Sequence, residues 1–171
     1  VVVDLTGARV VQVFRHPGAV LGSYRRMGWR PDLSELAALI DTTDVELDEP
    51  VRSLWRSGLR SLSDAEAMGV LWTVLNGLVL ADLDRAPGTV VVSHHGLAAG
   101  GEPAARALFE ALGLRPSAET REEMRGHSRQ AAGSGADATL HRLDRDPAEV
   151  AASWRRTMDP AEVQRLEDIA G

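Results

Sequence analysis

The stretch from Ala8 to Arg26, ARVVQVFRHPGAVLGSYRR, constrains the fold more than any other. An apolar, β-rich run (Val10, Val11, Val13, Phe14) stops at Arg15, turns through His16-Pro17-Gly18 and resumes from Ala19 as a helical pattern. Pro17 suits the first turn of that helix, where a missing N–H costs nothing. The pattern predicts strand, tight turn and helix. In such a unit the end of the strand and the start of the helix face one crevice, and the free N–H groups of the helix's first turn point into it. That crevice suits an anion. Arg15 is expected at the carboxyl end of the strand, a permanently charged fork able to hold a phosphate in two places. Ser23 follows Ala19 by one turn on the same helix face, so its hydroxyl can point back toward the strand end. Taken alone, the residues read equally well as an arginine capping a sheet edge and a serine facing solvent.

Length and charge narrow the choices. With 171 residues, 44% hydrophobic and 26% charged, the chain is expected to form one domain with a real core. The absence of cysteine excludes disulfide scaffolds, Cys-zinc sites and thiol nucleophiles. Every one of the 19 basic residues is Arg, so no lysine serves as phosphate clamp, base or Schiff-base former. The Ala, Gly, Arg and Asp usage points to GC-rich coding and a bacterial source. A net charge of −6 argues against a general nucleic-acid binder, whereas a nucleotide needs only a local basic patch such as Arg15, Arg25, Arg26 and Arg30. For Arg25, Arg26 and Arg30 a solvated helix end favoured by the dipole is the competing reading. There is no signal-peptide pattern, which agrees with a cytoplasmic protein. The most apolar helix, near Met68 to Leu83, is broken by Asn76, Gly77 and Asp82 and is read as short of a membrane span.

Taken in order, Val1 to Asp4 reads as a strand fragment, and the sequence starts as though something precedes it. Gly28 and Pro31 end the first helix, and Leu33 to Ile40 forms a short second one. Asp41 to Glu49 is acidic and irregular. Pro50 opens a helix with the apolar stripe Val51, Leu54, Trp55 and Leu59. Ser63 and Glu66 make a capping box before the helix Ala65 to Leu83, whose scarcity of polar face predicts burial against a sheet. Its Asn76 is expected as a hydrogen-bonded core residue. Arg85 to Gly88 turns into a second strand, Thr89 to Val92, whose unbroken apolar character predicts a parallel sheet covered on both faces. A helix from Glu102 to Leu112 stops at Gly113, another runs from Ala118 to Arg125 behind Ser117, and Gly126 closes it. His127 to Ala138 reads as a glycine-rich loop. The chain finishes with two helices that share one start, Asp146-Pro147-Ala148-Glu149 and Asp159-Pro160-Ala161-Glu162, each an acidic cap, a proline and a glutamate reaching back.

The segment VFRHPGAVLGSY resembles the 3′-phosphate-binding segment of sulfotransferases that use 3′-phosphoadenosine 5′-phosphosulfate (PAPS). There a strand, an Arg, a Pro shortly after it and a Ser eight residues beyond the Arg recur together. The later chain is similar to the bacterial type in order: strand Val90 to Val92, the helix ending Leu112-Gly113-Leu114, a polar loop from His127, and Ser153-Trp154-Arg155-Arg156-Thr157-Met158 before a last helix. The resemblance implies an α/β fold, a three-layer parallel sheet flanked by helices and similar to the P-loop nucleotide hydrolases, of which this chain is a helix-rich part. It implies sulfuryl transfer from PAPS, as co-substrate, to a hydroxyl or amine of a small-molecule, glycan or lipid acceptor. It carries Arg15 and Ser23 over as ligands of the cofactor's 3′-phosphate, and the late loop adds Arg142, with Arg145 beside it. Pairing of these two arginines with Asp144 and Asp146 is the competing reading.

Two departures bear on that reading. Relatives carry a Tyr-Glu-Asp-Leu run where this chain has His94-His95-Gly96-Leu97. A neutral histidine in the place of the glutamate is expected there rather than a metal site, because adjacent strand residues point to opposite faces. The glycine-rich loop and lysine that hold the 5′-phosphosulfate in relatives, and their general base, are absent here, so the chain is expected to be the later part of a longer domain. The rivals are a kinase-like phosphotransferase on a similar fold and a non-catalytic module that binds a nucleotide or a protein. No residue here identifies the acceptor.

Overall fold

The computed structural model describes residues 6–40, 46–83, 86, 88–130 and 146–171. The chain divides into two compact units, Val1–Arg15 with Gly88–Ser153, and His16–Pro87 with Trp154–Gly171. The expected strand fragment at the N-terminus, most of the expected late loop, and Arg142 and Arg145 lie outside the described residues.

The first unit holds the sheet. Strand β1 (Val11–Phe14) pairs in parallel with β2 (Val90–Ser93), Val11 opposite Val90 and Phe14 opposite Ser93. The arrangement is the expected one, helix-rich α/β with neighbouring parallel strands. Cover on both faces is not found: Val13 is 46% and Val91 48% exposed, and no residue of either strand is fully buried. Two strands of four residues have too little surface to seat a helix on each side.

Helix α5 (His94–Ala111) leaves β2 without a loop, because Ser93 caps it and accepts from the Gly96 N–H at 2.9 Å. The first two histidine positions therefore begin a helix instead of ending a strand. A kink at Gly101, with φ 52° and ψ −140°, separates this extra segment from the predicted helix, and Pro103 starts the second part. At the far end Gly113 takes φ 64°, and the N–H groups of Gly113 and Leu114 donate to Glu110 and Phe109. Helix α6 (Ala118–Gln130) begins at Ser117, whose Oγ accepts from the Thr120 N–H, and runs through Gly126 into the first residues of the expected loop. A single glycine inside a helix costs about 1 kcal/mol, too little to end one whose neighbours favour it. Helix α7 (Pro147–Ala152) starts as predicted, with the Asp146 carboxylate accepting from Ala148 N–H at 2.8 Å.

Among the described residues the elements of the second unit are all helices: α1 (Pro17–Arg26), α2 (Ser34–Ile40), α3 (Glu49–Ser57), a 3₁₀ turn (Leu59–Ser61), α4 (Asp64–Leu83), α8 (Trp154–Thr157) and α9 (Pro160–Ala170). Helix α4 is the axis, and its principal partners are α9, α1 and α3. The predicted burial against a sheet is thus corrected to burial against helices. An apolar helix without a polar face carries no mark of what covers it. Val70 and Val74 join Leu36, Val51 and Leu54 in one cluster, while Met68 joins Leu21, Trp154 and Leu166 in another. Gly69 permits the approach of α9, since a Cβ there would lie 2.9 Å from Ile169 Cγ2. The fully buried residues of α4 end at Val74; Leu75 and Leu80 are exposed. Asn76 donates to the Trp72 carbonyl at 2.8 Å, hydrogen-bonded as expected but half-buried instead of in the core. Among the described residues α4 alone has the length and mean hydropathy (1.3) of a membrane-crossing helix; its packing against three helical partners is compatible with the expectation that it does not span one.

The caps agree with the sequence. Ser63 and Glu66 exchange bonds, Glu66 N–H to Ser63 Oγ and Ser63 N–H to Glu66 Oε2, and Asp159 accepts from Ala161 N–H at 2.7 Å. The backbone N–H of Ser63, followed by Arg165, holds the Glu66 carboxyl below its usual range. At the end of α1, Gly28 takes φ 69°, the Trp29 N–H donates to Tyr24, and the two rings meet edge to face at 5.7 Å.

Trp154 sets the tolerance of α1 for side chains. A Cβ on Gly18 would stand 2.5 Å from Trp154 Cζ3, whereas one on Gly22 would stand 3.4 Å from Trp154 Cβ. Gly18→Ala is expected to destabilise by about 1–3 kcal/mol through overpacking. Gly22→Ala should gain up to about 1 kcal/mol from helix propensity. Thermal melts of the two variants should move in opposite directions, and equal shifts would contradict this packing.

Candidate functional site

The carboxyl edge of the two-stranded sheet is where the first unit gathers basic side chains. Since Phe14 and Ser93 are opposite one another, the residues that follow them are Arg15 and His94. Arg15 is half-buried, with its Nε out of contact with solvent. His94 is half-buried in the first turn of α5; burial, then the charge of Arg15, then that of His95 hold it below its ordinary pKa of 6.5. It is therefore mostly neutral at pH 7, while Arg15 is permanently charged. A fixed guanidinium beside an imidazole that can donate or accept is a pair suited to an oxyanion, at the strand ends where parallel sheets place ligands. Among the described residues no three His, Asp or Glu side chains are gathered in a way that would hold a metal ion.

Ser23 lies in α1, half-buried, one turn beyond the buried Ala19. The boundary between the units falls between Arg15 and His16, so the two residues paired by the sequence reading belong to different units.

The predicted free donors at the start of α1 are a correction. Pro17 has no N–H, Gly18 N–H donates to His16 Nδ1 at 3.1 Å, and Ala19 and Val20 N–H both donate to the His16 carbonyl. The turn thus satisfies its own helix. The imidazole of His16 stacks on Trp154 with centroids 4.1 Å apart, and its Nε2 stands 3.7 Å from Glu167 Oε1. With Nδ1 accepting and Nε2 facing a carboxylate, this histidine is committed inside the unit. Two arginines of the wider basic patch are committed too: Arg25 makes two bonds to Glu162, at 2.9 and 2.6 Å, and Arg30 pairs with Asp64. Arg25, ahead of the Asp159 N–H, holds the Glu162 carboxyl below its usual range.

One further feature of the first unit was not anticipated. A cavity of about 820 Å³ lies among α5, α6 and α7, with Leu97, Met124 and Ala148 in its wall and Glu102, Glu123 and Asp146 bringing carboxylates to it. The Gly101 kink lies in its wall, and the small-residue run Ala98-Ala99-Gly100-Gly101 before Pro103 was its only trace in the sequence.

No protein-family model, curated protein or solved structure matches the chain.

Proposed function

We propose that this chain belongs to a PAPS-dependent sulfotransferase and supplies the part of the domain that binds the 3′-phosphate of the nucleotide. The observation that carries the reading is Arg15, which follows the carboxyl end of one of two neighbouring parallel strands and has His94 in the corresponding place on the other. Ser23 is the second ligand that the sequence resemblance adds, and Arg142 a third. In this reading β1 and β2 belong to a larger parallel sheet of the three-layer kind. The reaction is in-line transfer of a sulfuryl group to a hydroxyl or amine, which depends on positioning and charge stabilisation more than on covalent help from the protein. Arg15 anchors the far end of the nucleotide and fixes its orientation.

Arg15→Ala should weaken binding of 3′-phosphoadenosine 5′-phosphate at least about tenfold, the scale of a charge-assisted contact of ~1.5 kcal/mol. Binding of adenosine 5′-phosphate should hardly change. Calorimetry on both nucleotides decides: equal losses remove Arg15 from the role. The self-satisfied start of α1 favours a second reading, a non-catalytic nucleotide- or protein-binding module. Failure of both nucleotides to bind the intact chain would support its protein-binding form.

A further inference from the structure

His16 combines three contacts that respond differently to a proton. Its Nδ1 accepts the Gly18 N–H at 3.1 Å, which assigns the proton of the neutral ring to Nε2. Its face lies on Trp154, with an interplanar angle of 21°. Its Nε2 points toward Glu167 at 3.7 Å, beyond a good hydrogen bond. Both His16 and Trp154 are the residues with which the chain enters the second unit.

We propose that His16 is a proton-operated cap on α1: a proton taken from solvent by Nδ1 turns the acceptor into a donor and expels the Gly18 N–H, opening that one donor of the first turn while Ala19 and Val20 keep their bonds to the His16 carbonyl. Among the described residues, two charged groups act on the ring. From α8, the Arg155 guanidinium, 4.6 Å from the Trp154 ring centre, opposes a second positive charge. From α9, Glu167 favours it. The acids at the start of α4, Asp64 and Glu66, are paired with Arg30 and Arg165, and α1 has no acidic residue in its first turn. Burial is the largest influence and Arg155 the next, and together they outweigh Glu167, so the ring sits below its ordinary 6.5. The unfolded chain accordingly takes up the proton first as pH falls. The contribution of the cap to stability is complete above about pH 6.5 and is lost as the pH drops from there through the folded-state value.

The test is a pH titration of the whole chain by NMR, following the His16 ring and the Gly18 amide. The Gly18 amide should move with the same midpoint as the ring, below 6.5, and lose roughly fivefold in protection from hydrogen exchange on the acid side. Glu167→Gln should lower that midpoint and Arg155→Gln raise it. Both replaced side chains are exposed, so neither change threatens the fold. His16→Asn, which keeps an acceptor that does not titrate, should leave the Gly18 amide flat across the range. A wild-type Gly18 amide that ignores the His16 titration overturns the proposal, as does a ring midpoint at or above 6.5. Midpoints that fail to separate in the two exposed variants count equally against it, whether or not the asparagine variant folds.

Discussion

Replacing Trp154 by Ala is expected to lower stability by about 3–5 kcal/mol, the cost of deleting a large aromatic from a closed core. The indole is 2% exposed and belongs to the cluster of Leu21, Met68 and Leu166, so little can collapse into the space it leaves. It also carries the His16 ring on one contact and the Arg155 guanidinium on another, and Gly18 exists without a side chain because of it. Loss of the indole therefore removes burial, a stacked pair and a cation–π contact at once. Urea unfolding followed by circular dichroism measures the change. A loss under about 1 kcal/mol would mean that the wall around Trp154 is not closed.

Leu166→Ala is expected to cost about 2–5 kcal/mol. Leu166 is fully buried at 0% exposure on the face of α9 that meets α4, with Ile169 one turn further along. The α4–α9 contact is the most extensive in the second unit, and Gly69 brings the backbones too close for neighbouring side chains to swing into a void. Leu114→Ala is the control. That leucine is 54% exposed, and its removal should stay within about 0.5 kcal/mol. If the two variants unfolded at the same denaturant concentration, the helical pairing at the centre of the second unit would be wrong.

What could be read in the sequence was mainly what is decided within a few residues. Ser63 with Glu66, Asp146 with Pro147, and Asp159 with Pro160 are capping chemistry, and Gly28 and Gly113 end helices by taking positive φ; each acts locally and each is found in place. The parallel pairing of the two valine-rich strands was expected from the unbroken apolar run of the second. Partners distant in sequence were harder. Apolar on all sides, α4 gave no direction to its neighbours, and helices took the place assigned to a sheet. Gly126 looked like a stop, yet α6 continues through it because one glycine is a modest penalty. Ser93 ends β2 and its hydroxyl also caps a helix that begins at once, eight residues before the expected start at Glu102.

The candidate site divides in the same way. The position of Arg15 after a strand was legible from the break in apolar residues, and its neighbourhood with His94 came from strand register, which no local pattern encodes. The supposed free donors of α1 were claimed by His16. Histidine is seldom counted among capping residues, which is why HPG suggested an open turn instead of a closed one. Arg25 and Arg30 are spent on Glu162 and Asp64, acids 137 and 34 residues away, and only the assembled helices reveal those partners.

The chain passes between its two units after Arg15, after Pro87 and after Ser153. Neither half is therefore a continuous stretch that could be finished early during synthesis. The ribosome must deliver the residues up to 153 before the first can close and must release the last turn of α9 before the second can. Until then the apolar length of α4 waits without its main partner, and that interval is where a nascent chain of this design would most need a chaperone.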